Sequence, residues 1–210
     1  MGERRLIALT RGHRMKCLLR RMLDPQEFLS DYGVRSVSKF HKDHPYVLTV
    51  QGEEKVISYE PGESQTDVFG GNSNWRGPVW MPINYLLIES LQKFHHYYGD
   101  DFQVECPTGS GQFTTLNGVA NELSNRLIRI WLRDTNGQRP FARASAKALD
   151  QDRDQDRYWF HEYFHGNTGA GLGASHQTGW TALVAKLIHQ QGSMARLESP
   201  IRSRIYERHD

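Results

Sequence analysis

The sequence is poor in cysteine, with Cys17 and Cys106 alone among 210 residues. Two cysteines are too few for a disulfide framework, and neither stands at the spacing of a metal-ligand pair. A reducing, cytoplasmic setting is therefore the expectation. There is also no surplus of one charge: 26 Lys and Arg face 24 Asp and Glu, for a net charge of +2. That balance argues against a nucleic-acid partner, which would call for a strongly basic domain. Long apolar runs are missing too. None approaches the roughly 18 to 20 residues that cross a bilayer, and MGERRLIALTRGHRMK lacks the uninterrupted apolar core of a secretory leader. No membrane partner is expected. The basic clusters Arg4 to Arg21 and Arg196 to Arg208 read as solvated helix and tail surface.

What the chain does have is glycine, histidine and aromatic rings. Nineteen Gly, ten His, five Trp, nine Tyr and nine Phe exclude the aromatic-poor composition of a disordered chain. They crowd into a few short segments, which is how a site is distributed rather than a core. Between those segments the apolar spacing is helical. Met15, Leu18, Leu19, Met22 and Leu23 predict a helix over about Thr10 to Leu23, ended by Asp24-Pro25. Pro82 suits a first helical turn and leads Ile83, Leu86, Leu87, Leu91 and Phe94 to a stop at Gly99. Asn117 to Leu132 and about Thr178 to His189 predict two further helices. A weak alternation over Tyr46 to Tyr59, broken at Gln51-Gly52-Glu53, predicts one short β-hairpin. The charged run LDQDRDQDR reads as an exposed loop. From Gly192 onward the pattern dissolves, so a domain over 1–190 with a frayed tail over 191–210 is expected. No βαβ rhythm and no internal repeat appear. The fold class is mainly α.

Three readings compete for one stretch, YWFHEYFHGNTGAGLGASHQTGW. His161-Glu162-Tyr163-Phe164-His165 matches H-E-x-x-H, in which a helix sets both imidazoles on one face with the carboxylate as general base. Here Gly166 follows at once, Tyr158, Trp159 and Phe160 favour extended backbone, and the longer metzincin spacing would put its third ligand on Gly171. Gly169, Gly171 and Ala174 fit G-x-G-x-x-G/A, but a dinucleotide site needs flanking parallel strands. The third reading takes Glu162 as the reactive group among aromatic rings. Sugars have flat C–H faces and a rim of hydroxyls, so they call for rings and a few polar groups. The distant loop Asn72-Ser73-Asn74-Trp75-Arg76-Gly77-Pro78-Val79-Trp80 has the same composition. Two such loops, each opening a helix, suggest one shared pocket.

The segments NWRGPVWMPINYLLIESL and YWFHEYFHGNTGAGLGASHQTGWTALVAKLI resemble the C-terminal half of glycoside hydrolase family 63, the group containing processing α-glucosidase I. DYGVRSVSKFH resembles a loop further upstream in that family, and the likeness covers about Leu6 to Gln190. The resemblance implies the C-terminal portion of an (α/α)6 barrel and hydrolysis of α-linked glucose with inversion. In that chemistry an acid protonates the leaving oxygen and a carboxylate on the opposite face activates water, the two lying roughly 6.5–9.5 Å apart. Glu162 corresponds to the general base. Trp75, Trp80, Tyr163 and Trp180 would wall the sugar, Arg76 and Asn84 would meet hydroxyls, and Tyr32 and Arg35 would line the pocket. His161, His165 and His176 would support these groups from behind. An oligosaccharide or glycoside is the implied partner, with no cofactor and no metal.

Simpler roles stand beside these. Trp75 and Trp80 could pack beneath a loop, and Arg76 could be a structural ion-pair partner. No segment matches the family's general acid, and twelve helices do not fit in 210 residues. The expectation is thus a catalytic portion whose acid and remaining helices lie in a missing N-terminal half of the barrel, with the isolated piece inactive. The alternatives are a non-catalytic carbohydrate-binding or assembly fragment, and a zinc hydrolase on His161 and His165.

Overall fold

Helical periodicity becomes helix at four places in the computed structural model, which describes residues 6–64, 75–145, 157–176 and 179–197. Asn72 to Asn74, most of the charged run (149–156) and the tail over 198–210 lie outside the described residues. Helix α1 spans Gly12–Met22 and α2 spans Met81–Tyr98, with Pro82 in its first turn. Gly99, at φ 69°, ends α2 as expected and returns its N–H to the His95 carbonyl at 2.8 Å. Helix α3 spans Leu116–Arg129 and is capped by Thr115, whose hydroxyl accepts from the Gly118 N–H at 3.1 Å. Its buried Leu116, Val119, Ala120, Leu123 and Leu127 form one stripe at i, i+3, i+4, i+7 and i+11. That stripe packs on α2 and on α4, which spans Leu183–Leu197 and buries Val184 and Leu187.

Two expectations need correction. Helix α4 begins later than the spacing predicts, because Trp180 to Ala182 form a turn that precedes it. It also runs past Gly192 to Leu197 instead of fraying from residue 191. A glycine costs a helix interior about 1 kcal/mol; here Gln191 bonds Asn121 on α3 at 3.2 Å and Ser193 bonds the His189 carbonyl at 2.9 Å. Secondly, the described residues contain four antiparallel strand pairs rather than one. The expected hairpin is there, as β3 (Tyr46–Val50) and β4 (Glu53–Ile57), turning at Gln51-Gly52 with both φ positive. The others are β1 (Leu29–Ser30) with β2 (Gly33–Val34), β5 (Gln103–Glu105) with β6 (Phe113–Thr115), and β7 (Tyr163–Phe164) with β8 (Gly171–Leu172). Strands of two or three residues leave almost no periodic signal. The architecture is mainly helical with small sheets.

Val79 joins these pieces. It is fully buried and forms isolated bridges with Arg35 on one side and Phe164 on the other. With Phe164 it exchanges two backbone bonds, at 2.8 and 3.0 Å, while the Ser36 N–H reaches the Pro78 carbonyl at 3.0 Å. Asn84 ties the same region from α2. Its Oδ1 accepts from the Val34 N–H at 2.7 Å, and its Nδ2 donates to the carbonyls of Val34 at 3.0 Å and Trp80 at 2.9 Å. Asn84→Ala should therefore cost about 2–4 kcal/mol in urea unfolding, since it strands buried backbone groups. A loss below about 1 kcal/mol would show that these bonds do not hold the junction.

Candidate functional site

The Val79–Phe164 exchange sets the residue after Val79 beside the residue before Phe164, and both are aromatic. Trp80 stacks on Tyr163, with ring centroids 4.6 Å apart and planes 19° apart. Trp75 stacks on the other face of the group, 4.0 Å from Trp80 and within 6° of parallel. Trp180 meets Trp80 edge-on at 6.0 Å. Four rings from three loops thus form one cluster, and each pair adds about 0.5–1.5 kcal/mol beyond its burial. The sequence predicted these loops to meet; their layering was not predicted. Trp80 is 2% exposed and Tyr163 is buried, whereas Trp75 and Trp180 are each 40% exposed. The exposed rings of the cluster are therefore Trp75 and Trp180, with Trp80 and Tyr163 packed beneath them.

Glu162 lies at the edge of this cluster, half-buried. Its Oε2 accepts a long bond from the Ala174 N–H at 3.4 Å. Gly173, at φ +68°, gives it room. A Cβ at that position would sit 2.6 Å from Glu162 Oε2 and 2.8 Å from Tyr163 Cε1, so the carboxylate and the Tyr163 ring share that surface. The backbone of Glu162 is held more firmly than its side chain: its N–H donates to the Ala174 carbonyl at 3.0 Å, and its carbonyl accepts from Trp180 Nε1 at 2.9 Å.

The remaining predicted residues are placed behind or beside this surface. Arg76 is 1% exposed and forms an ion pair with Glu60 at 2.9 Å and a bond to the Ser64 hydroxyl, which favours the structural role weighed for it. Asn84, also 1% exposed, spends its amide on backbone, as described above. Tyr32 packs beneath Gly169 and accepts from Arg143 at 3.1 Å. Arg35 donates to the Leu29 carbonyl at 2.6 Å and the Glu27 carbonyl at 3.2 Å and faces the ring of Tyr59; burial holds its guanidinium below its ordinary value. His176 is exposed and stacks on Trp159 at 5.2 Å.

His161 and His165 do not share a helix face. The segment runs through β7, as its aromatic flanks suggested, so the H-E-x-x-H spacing loses its geometric meaning. His165 Nδ1 accepts from the backbone N–H groups of Asn167 at 3.1 Å and Thr168 at 3.3 Å, which assigns the ring proton to Nε2. The His161 ring is buried against Phe141, Trp159 and the backbone of Gly171. Among the described residues no three His, Cys, Asp or Glu side chains converge as a metal cluster would require. Three contributors escaped sequence reasoning. Glu60 partners Arg76, Gly173 makes space for the carboxylate, and Thr181 donates its hydroxyl to the His161 carbonyl at 2.7 Å. Thr181 had a signal, since it follows Trp180 directly within the segment that carries the family resemblance.

Comparison with known proteins agrees with the motifs. The family model described as "Mannosylglycerate hydrolase MGH1-like glycoside hydrolase domain" matches residues 6–181. An uncharacterized protein of Saccharomyces cerevisiae is 51% identical over 194 residues, which is 91% of this chain and 18% of that protein. The mannosyl-oligosaccharide glucosidase of the same yeast is 26% identical over 80% of this chain and 14% of its own length. Alpha-glucosidase 2 of Arabidopsis thaliana is 30% identical over 56% of this chain and 11% of its own length. The chain thus spans less than a fifth of the length of these curated relatives.

Burial holds both His161 and His165 below the ordinary imidazole value of 6.5, and His176 adds to the effect at His161. Unfolding exposes them, so the unfolded chain binds protons first and stability falls as pH drops past that value. The urea midpoint should decline between about pH 7.5 and 5.5, and His161→Leu should flatten part of the slope. A wild-type profile that is level across this window would contradict the burial argument.

Proposed function

Because this chain belongs to the MGH1-like glycoside hydrolase family and has relatives named mannosyl-oligosaccharide glucosidase, we propose that it contributes the base-bearing side of an inverting α-glucosidase site. The observation that carries this reading is the adjacency of Glu162 to a ring surface built from loops far apart in sequence. A pyranose laid on Trp75 and Trp180 presents its edge toward Glu162. The carboxylate then takes a proton from the water attacking the anomeric carbon. Among the described residues the Ala174 N–H alone bonds the carboxylate, so its second oxygen can accept from that water.

The rest of the site follows from the same reading. Trp80 and Tyr163 support the outer rings, with Trp75 stacked on Trp80 and Trp180 edge-on to it. The Arg76–Glu60 pair fixes the loop that carries Trp75. Tyr32, Arg35 and Asn84 hold the floor, and His161, His165 and His176 brace the strand and turn around Glu162. The general acid and the remaining helices of an (α/α)6 barrel come from sequence outside this segment, in keeping with the small share of its relatives that the chain spans. The substrate class is an α-linked oligosaccharide or glycoside.

A general base contributes about 10²–10⁴-fold to rate. In the full-length protein, Glu162→Gln should lower kcat on a nitrophenyl α-glucoside or an α-linked oligosaccharide by at least about 10²-fold while KM stays within about threefold. Proton NMR of the first wild-type turnovers on the oligosaccharide should show β-glucose. Retention of most of the rate by Glu162→Gln, or α-glucose as the first product, would reject the assignment.

A further inference from the structure

Resting on that reading of Glu162, we propose that Thr181 and the indole N–H of Trp180 are positioning groups for the base. A carboxylate held by one 3.4 Å bond owes its direction to the backbone beneath it. Because peptide groups are planar, the direction of the Glu162 Cα–Cβ bond follows from the two peptide planes that meet at its Cα. In the plane before Glu162, the His161 carbonyl accepts from Thr181 Oγ1 at 2.7 Å and the Glu162 N–H donates to the Ala174 carbonyl at 3.0 Å. In the plane after it, the Glu162 carbonyl accepts from Trp180 Nε1 at 2.9 Å. Both planes are therefore pinned, and two of the three bonds come from neighbouring side chains of one turn.

That turn is itself anchored. Its carbonyls open α4: the Leu183 N–H bonds the Trp180 carbonyl and the Val184 N–H bonds the Thr181 carbonyl, each at 3.2 Å. Val184 and Leu187 then bury the helix against α3. The packing of a core helix is thus transmitted to the base through two side-chain hydrogen bonds. Thr181 is fully buried and touches the His161 carbonyl rather than the ring surface, so its effect on a sugar passes through Glu162.

The test uses three variants of the full-length protein. Thr181→Val keeps the shape and removes the donor, Thr181→Ser keeps the donor, and Trp180→Phe keeps a ring without the N–H. Misplacing a reacting group by an ångström can cost up to about 10²-fold. Thr181→Val should lower kcat about 10-fold with KM within twofold, Thr181→Ser should recover most of the rate, and Trp180→Phe, which also alters a ring the sugar meets, should lower kcat about 10-fold with a rise in KM. Rates are normalised to folded enzyme, so that a loss of yield is not counted. In a Glu162→Gln background, Thr181→Val should cause little further loss, since groups acting as one unit are not additive. An unchanged kcat for Thr181→Val, or a second 10-fold loss on top of Glu162→Gln, would overturn the positioning role. If Glu162→Gln alone is near wild-type, the base assignment fails instead, and the positioning role fails with it.

Discussion

Two backbone hydrogen bonds between Val79 and Phe164 hold the functional side of this molecule together. They join segments more than eighty residues apart in sequence, and Trp80, Tyr163 and Glu162 each lie within two residues of one of them. Trp80 follows Val79; Tyr163 and Glu162 precede Phe164. The pairing has a fixed side-chain period of two, so a slip of one residue would carry these rings to the opposite face. Burial of Val79 and Phe164 opposes such a slip, because each is wholly removed from water and Phe164 meets Trp131 edge-on at 5.1 Å.

Around this junction, polar groups are committed to structure rather than left for ligand. Arg76 with Glu60, Asn84 with Val34, Arg35 with the carbonyls of the β1 region, and Arg143 with Asp134 at 2.7 Å each tie a loop to a neighbour. Removing one partner of a buried charged pair leaves the other uncompensated, so such contacts fix geometry even where their net contribution to stability is small. Loops that are rich in glycine can then carry aromatic side chains in defined positions. The outcome is a stiff floor, two exposed indoles, and a carboxylate whose backbone is better anchored than its side chain.

Much of this was legible in the sequence. The helices were written in apolar spacing, and the Gly99 stop and Gln51-Gly52 turn were written in residues that accept positive φ. The meeting of the two aromatic loops followed from their shared composition, and the family from Trp75 to Trp80 and the segment around Glu162. What escaped has a common physical cause. Strands of two residues, such as β7 and β8, carry no periodicity. Beside Gly192, α4 is tied to α3 by the Gln191–Asn121 bond, which local propensity does not contain. Layering was hidden too: nothing in the residue types tells an exposed Trp75 from a buried Trp80, or an arginine that faces a sugar from one clamped to Glu60.

The most direct test of the account is a crystal structure of the full-length protein with a glucose-like iminosugar bound. The account predicts the ring lying against Trp75 and Trp180, with an ordered water between the Glu162 carboxylate and the anomeric position on the face opposite the leaving group. An iminosugar bound elsewhere, or a Glu162 carboxylate turned away from it with no water between, would contradict the central claim.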